Sequence, residues 1–399
     1  MSNVLLLSSG YCGKVTANGS CARALVEELL RQGMGARVVC YNDSQDECEE
    51  GVVSVCYHSP EEKAAANALQ RYWHIGKKLL KEAIAPPYDR QLAQTLFEKA
   101  DKVCSTEKID MVVAVYFAMM YPVELIEVGR MLKAKYPQMH LCIYELDSVA
   151  DGIASQSKWK WLTLPSYRRY LNKIYRKADS VFLMKSHEEH WKAQHGKYSD
   201  KLVLVDIPVL RPCTLPQVTK SSDDVTFLYG GLVDAGYRSP ACILNLFAQE
   251  EKALNWRVCF YSKGCEEMLR SAAEQDKRIQ LMGYVKPEVL EQAIAEADVL
   301  LSIGNAYSNS LPSKLINYMG YGKPIVHFSL QKHDICADYL NRYPLALVIP
   351  AAAGREEVGQ MVTDFVKRCR GKRLTYEEVA AELEMNTPQY TVKQMCSLL

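Results

Sequence analysis

NAYSNSLPSKLINYMGYGKPIV, Asn305 to Val326, follows the apolar run DVLLSI, Asp298 to Ile303, with Gly304 between them. A short continuous apolar run of this kind predicts a buried parallel strand. The polar residues Ser308, Asn309 and Ser310 and the turn at Leu311-Pro312 then lead into a helix from about Ser313. Leu315, Ile316 and Met319 supply its apolar face, and Gly322 stops it, with Lys323-Pro324 beyond. Ile325-Val326 begins the next strand. A strand, a polar loop and a helix N-terminus together present backbone N–H groups and a positive helix end to an anion. In an open α/β sheet such a place lies at the carboxyl ends of the strands, where ligands bind.

The same pattern recurs in both directions from this stretch. Upstream, Val225–Tyr229, Trp256–Tyr261 and Ile279–Met282 read as strands, and Pro287–Ala297 as an amphipathic helix. Further back, Val4–Ser8, Ala36–Tyr41, Met111–Phe117, His140–Leu146, Asp179–Lys185 and Leu202–Ile207 are apolar strand runs, with helices over Cys21–Arg31 (Ser20 as N-cap) and Val123–Lys135 between them. Residues 208–224 are rich in Pro, Ser and Thr and read as a linker. Two doubly wound α/β domains follow: 1–208, a linker at 209–224, and 225–385, with 386–399 as a final helix.

The totals exclude several classes. A chain of 399 residues suggests two or three domains, and 48% apolar and 24% charged residues fit a soluble globular protein. A net charge of +1 gives no global attraction to nucleic acid. No run reaches the roughly 18 apolar residues of a membrane span, and the start MSNVLLLSSG lacks the basic region of a signal peptide. Fourteen cysteines without a C-x-x-C pair read as free thiols in a reducing cytoplasm. Gly10-x-x-Gly13 is not a dinucleotide fingerprint, and His187 and His190 have the wrong spacing for a zincin.

Ser308 to Val326 resembles the donor-site signature of GT-B glycosyltransferases of the family-4-like group, in which loop, Pro-Ser-Lys, helix and Gly-Lys-Pro-Ile-Val recur in this order. The resemblance continues faintly over most of the chain. It implies an α/β, GT-B fold, two Rossmann-like doubly wound domains facing across a cleft, with the last helix crossing back onto the first domain. It implies transfer of a sugar from a nucleoside-diphosphate sugar to a saccharide or lipid-linked acceptor, with retention of configuration, in cell-surface polysaccharide assembly. Gly10, Lys14 and Asn18 would line the acceptor side. Asp147 and Asp151, at a strand's carboxyl end, would orient an acceptor hydroxyl or act as a base. Glu145-x-Asp147 imitates the metal-binding D-x-D of GT-A enzymes, but the repeated α/β pattern argues against that fold.

A leaving nucleoside diphosphate is stabilised either by a metal or by cations with helix-end N–H groups, and the chain offers the second. Gly230 and Gly231 allow close approach of backbone to phosphate. Arg238, Lys263 and Lys314 are the candidate charges, and Ser313 opens the helix beside them. No cofactor and no metal are expected. The sequence departs from the resemblance where the group carries two glutamates for the donor sugar and ribose: Asn309 and Asn317 stand there. The group's arginine after Gly-Gly is Leu232, and Arg238 is the candidate to replace it. These departures keep two alternatives open, a non-catalytic nucleotide-sugar-binding homologue or partner subunit and a nucleotide-sugar 2-epimerase. Between Gly152 and Ala178 the chain carries seven Lys and Arg residues, five Trp and Tyr residues and no acid. That composition suits peripheral contact with an anionic membrane on the cytoplasmic face, and many GT-B enzymes acting on lipid-linked saccharides use such a surface.

Overall fold

The computed structural model describes residues 2–12, 16–42, 48–57, 76–77, 79–86, 88–116, 123–146, 160–213, 215–216, 224–247, 255–306 and 311–399. The chain divides into two units, Met1–Val209 with Met385–Leu399, and Leu210–Glu384. Each is built on one parallel sheet. Among the described residues no helix is long and apolar enough to cross a membrane.

The first unit holds strands β1 (Asn3–Ser9), β2 (Gly35–Asn42), β3 (Val52–Cys56), β4 (Met111–Tyr116), β5 (His140–Glu145), β6 (Ser180–Met184) and β7 (Leu202–Val205). Their order is β3-β2-β1-β4-β5-β6-β7, all parallel. Every residue of β4 is buried, as a central strand covered on both faces requires. Helices α1 (Ala17–Arg31), α2 (Arg90–Thr106), α3 (Val123–Lys135), α4 (Lys160–Lys177) and α5 (Glu188–His195) supply the cover. The order reverses between β1 and β4, which is the switch point of a doubly wound sheet.

The second unit repeats the plan. Strands β8 (Val225–Leu232), β9 (Trp256–Lys263), β10 (Ile279–Leu281), β11 (Val299–Ile303), β12 (Ile325–Phe328) and β13 (Ala346–Ile349) run parallel in the order β10-β9-β8-β11-β12-β13. The switch point falls between β8 and β11. Helices α6 (Ala241–Phe247), α7 (Glu266–Gln275), α8 (Pro287–Glu296), α9 (Ser313–Gly320), α10 (Ile335–Leu340), α11 (Arg355–Cys369) and α12 (Tyr376–Glu382) complete it. The last helix, α13 (Pro388–Cys396), belongs to the first unit. Thr387 caps it by accepting from Tyr390 N at 3.2 Å, and Val392 and Met395 are buried where it packs on α1.

Four features differ from the sequence expectation. Helix α1 begins at Ala17, not Cys21, and its cap is Thr16, whose Oγ1 accepts from Gly19 N at 3.1 Å. Asn18 and Gly19, which that expectation left ahead of the helix, form its first turn. Gly230-Gly231 extend β8 instead of following it. Strands β3 and β13 had not been expected: each is only four or five residues long, β3 broken by Ser54 and β13 set between Leu345 and Pro350. Finally, Cys12 and Cys48 form a disulfide with Cα atoms 5.7 Å apart, while the twelve other cysteines are not disulfide-bonded. The Cys40 sulfur lies 4.0 Å from that of Cys12.

Candidate functional site

At the switch point of the second sheet, the end of β8 meets α9. Tyr318 places its hydroxyl on the Gly230 peptide, accepting from Gly230 N at 2.8 Å and donating to Gly230 O at 3.1 Å. Lys314, one turn earlier on the same helix face, donates its Nζ to Gly230 O at 3.3 Å. A Cβ at position 230 would stand 2.8 Å from the Tyr318 hydroxyl, so only glycine admits this contact. Helix α9 opens at Ser313 with Pro312 as its cap residue; Leu315 N donates to Pro312 O at 2.9 Å, and Pro312 offers no side chain to cap the N–H groups before Leu315. Its amino end carries the partial positive charge that suits an anionic ligand.

Arg238 reaches the same region from the other side. Asp234 and Arg238 exchange backbone hydrogen bonds of 3.1 and 2.9 Å, and the Asp234 carboxylate accepts from Gly236 N and Tyr237 N, which closes a tight turn after β8. The Arg238 Nη2 donates to Asn305 Oδ1 in the loop after β11, and Ala306 N donates to Tyr237 O at 2.9 Å. The Arg238 Nε is buried and has no partner among the described residues. No described carboxylate pairs with Arg238 or Lys314. Lys314 keeps contact with solvent, yet its pKa is lowered, first by desolvation from the protein around its ammonium and then by the Arg238 charge. Two cations near one helix end repel each other until an anion arrives.

Of the sequence candidates, Gly230, Gly231, Arg238, Ser313 and Lys314 come together here. Lys263 ends the neighbouring strand β9, opposite Leu232, and is exposed. Gly264 beside it has φ +98° and faces the Val233 carbonyl so closely that a Cβ would lie 2.1 Å from it. Asn317 is exposed on α9. In the first unit, Gly10 has φ +61° and its N–H donates to Tyr41 O at 2.9 Å. Asn18 is buried, donating to Ser9 Oγ at 3.1 Å. Lys14, Asp147, Asp151 and Asn309 lie outside the described residues, as does 152–159 of the basic stretch. Sequence reasoning missed Tyr318 and Asn305. Tyr318 had a legible signal, its i+4 spacing from Lys314; Asn305 had none, because its role depends on Arg238 67 residues away.

Behind the Asn305 loop lies a buried group. His327 Nδ1 is 3.0 Å from Ser302 Oγ, and its Nε2 is 2.8 Å from Asp334 Oδ2. Asp334 also caps α10 by accepting from Cys336 N at 2.9 Å. Burial would raise the Asp334 pKa, but the His327 contact and the cap hold it below the usual range. His327, Asp334 and Cys336 offer metal-ligand atoms within 4.8 Å of one another. Each of the three already engages a neighbour, so the cluster reads as a brace under the loop that carries Asn305.

Glu145, at the carboxyl end of β5, is buried and accepts from the Tyr175 hydroxyl. It faces the core, not a cation site. Desolvation pushes its pKa up to about 7, with the Tyr175 bond opposing. His195, edge-to-face with Tyr175, is held neutral by burial, its pKa lowered to about 4. Folding therefore favours protonated Glu145. The stability this contributes is fully present below the unfolded value of 4.5 and is lost as pH rises through about 7. Relative to Glu145→Gln, the protein is expected to lose about 3 kcal/mol between acidic and mildly alkaline pH. Denaturant melts of both forms across that range check it; parallel pH profiles would refute it.

No family model matches the sequence, and no curated relative does. Solved structures match over the whole chain. Sucrose-phosphate synthase from Thermosynechococcus elongatus is 14% identical, with 100% of this chain and 99% of that one covered and a TM-score of 0.65. The apo form of the lipopolysaccharide outer core galactosyltransferase WaaB is 12% identical, with both chains covered completely and a TM-score of 0.57. The catalytic domain of starch synthase IV from Arabidopsis thaliana, bound to ADP and acarbose, is 9% identical, with 100% and 97% covered and a TM-score of 0.58. At these identities the likeness is one of fold, and the fold is GT-B.

Proposed function

We propose that this protein transfers a sugar from a nucleoside-diphosphate sugar to a saccharide or lipid-linked acceptor. The observation that carries the reading is the convergence of Arg238, Lys314 and the uncapped amino end of α9 on the Gly230 peptide at the switch point of the second sheet. This arrangement suits a pyrophosphate. Two cations and a helix end offset the charge that develops on a leaving diphosphate, and the reaction then proceeds without a metal. The fold neighbours support the reading, one being a galactosyltransferase and another holding ADP and acarbose. The family-4-like motif favours retention, assisted by the leaving phosphate. We place the enzyme in cell-surface polysaccharide assembly, at the inner face of the plasma membrane, with the basic stretch 152–178 toward the lipid.

Thermal unfolding with UDP-, GDP- and ADP-sugars tests the reading. A ligand at 100 times its dissociation constant is expected to add about 2.7 kcal/mol. Turnover of that donor with a saccharide panel is expected to survive EDTA. No stabilisation by any nucleotide overturns the proposal. Asn309 and Asn317, where glutamates are usual, favour one second reading, a subunit that binds nucleotide sugar without turning it over; binding without transfer or hydrolysis across the panel would establish it. Consumption of UDP-N-acetylglucosamine without any acceptor would instead indicate a 2-epimerase.

A further inference from the structure

We infer that Cys12, Cys40 and Cys48 form a thiol–disulfide exchange site in which Cys40 displaces Cys48 from Cys12. The disulfide joins Cys12, in the turn after β1, to Cys48, beyond the end of β2. Cys40, on β2, is not disulfide-bonded, and its sulfur lies 4.0 Å from that of Cys12. That gap is roughly 2 Å longer than a disulfide bond, so the second pairing needs only a small shift of two sulfurs. Cys12 is held beside β2 independently of Cys48. Gly10 N donates to Tyr41 O at 2.9 Å, and Cys12 N donates to Asn42 Oδ1 at 3.1 Å. Cys12 and Cys40 therefore stay together whether or not Cys48 is bonded.

The surroundings of Cys40 suit an attacking sulfur. Asn42 Nδ2 donates to it at 3.6 Å. The Ser54 hydroxyl and the backbone N–H groups of Tyr11 and Cys12 face the same atom. Most buried cysteines pack as small apolar groups, whereas here donors from four residues converge on one sulfur. Burial raises the Cys40 pKa, and the donors oppose the rise. Cys40 thus rests as a thiol, and a thiolate formed there is hydrogen-bonded in place. Cys12 and Cys40 are buried, while Cys48 is partly exposed. Exchange therefore converts a buried thiol into an accessible one.

In the exchange the Cys40 thiolate attacks the Cys12 sulfur. The new S–S bond forms as the Cys12–Cys48 bond breaks, and the electron pair leaves on Cys48. One proton is lost at Cys40 and one is gained at Cys48, so no oxidant or reductant is consumed. Cys12 stays tied to β2, and Cys48 becomes the reactive end, open to a small thiol-reactive molecule such as a low-molecular-weight disulfide. A cross-link serving stability alone has no use for a third sulfur so placed. Disulfides in a reducing compartment are mostly transient and redox-sensing, which fits the cytoplasmic placement proposed above. The inference borrows only that placement, because the exchange needs neither donor nor acceptor.

The experiment traps the released sulfur. The oxidised full chain is incubated, folded and without reductant, with iodoacetamide. It is then quenched in acid and digested without reduction by trypsin and a glutamate-specific protease, whose cut after Glu47 separates Cys40 from Cys48. Mass spectrometry is expected to find Cys12–Cys48 at the start, and Cys12–Cys40 with alkylated Cys48 accumulating with time. Cys40→Ser, or Cys40→Ala should the serine variant melt early, is expected to slow Cys48 alkylation at least about tenfold, since no internal attack then frees that sulfur. Cys48→Ser treated with oxidised glutathione is expected to form Cys12–Cys40 and to release two molecules of reduced glutathione per bond. Alkylation of Cys48 at the same rate without Cys40 overturns the inference. So does Cys48→Ser that ends with glutathione on Cys12 and Cys40 still reduced, or oxidised parent protein with no Cys12–Cys48 bond. Nucleotide binding enters none of these measurements, so the inference and the proposed activity fail separately.

Discussion

Arg238→Ala is expected to weaken nucleoside-diphosphate binding by roughly 10- to 100-fold, the range of one charge-assisted hydrogen-bonding group. The guanidinium is held by Asn305 through Nη2, and its buried Nε has no protein partner among the described residues. A guanidinium tethered on one nitrogen is pre-organised, so presenting its remaining N–H groups to a ligand costs little side-chain freedom. Arg238→Lys should recover only part of the affinity, because an ammonium restores the charge and not the planar fork. Lys314→Ala should weaken binding as well, with a distinct pH signature. The Lys314 pKa is lowered in the free protein, and a bound anion favours its charged form. Binding by the parent should therefore take up protons and weaken as pH rises, at lower pH than an ordinary lysine would produce; Lys314→Ala should lose that dependence. Isothermal titration in two buffers of different ionisation heat measures both effects. Affinity unchanged in both variants, with their melting intact, would remove the phosphate site from this end of β8.

Gly19→Ala is expected to destabilise the first unit by about 2–3 kcal/mol. A Cβ at position 19 would lie 1.8 Å from the Gly10 carbonyl oxygen and 2.7 Å from its carbon. Both are backbone atoms, so a rotamer change gives no relief and the helix start has to move. Gly10 cannot yield easily, since it has φ +61° and its own Cβ position is filled by Thr16 at 2.3 Å. The two glycines and Thr16 lock the β1–α1 turn together. Gly33→Ala is the comparison: φ is +76° but nothing lies within 4 Å, so only the left-handed backbone is penalised, about 1 kcal/mol. Two units make a single global transition a poor measure. Hydrogen exchange of α1 and β1 amides resolves the local effect, and equal losses from the two substitutions would show that the close approach carries no weight.

Much of the fold was legible because buried parallel strands announce themselves. MVVAVY, VLLSI and SVFLM leave no alternative to a covered sheet. The stop of α9 at Gly322 was legible as well, from glycine followed by Lys-Pro. Its second cause was not: Gly322 has φ +70° and its Cβ would meet the Leu374 carbonyl at 2.1 Å. Local rules also misplaced the start of α1, because Asn18-Gly19 favours a loop until the contact with Gly10 is known. At the candidate site, Lys314 and Arg238 could be named from residue type and position, whereas the Asn305 anchor and the Tyr318 clamp are products of tertiary distance. The Cys12–Cys48 pairing has the same character, since 36 residues separate the two sulfurs and only the fold brings them together.

The division of the chain carries one more consequence. Residues 385–399 belong with 1–209, while 210–384 close on themselves. During synthesis the inner unit is therefore finished while its host still lacks a helix. Until α13 leaves the ribosome, the surface of α1 that it covers stays bare, so a segment made after the inner unit seals a helix made before it.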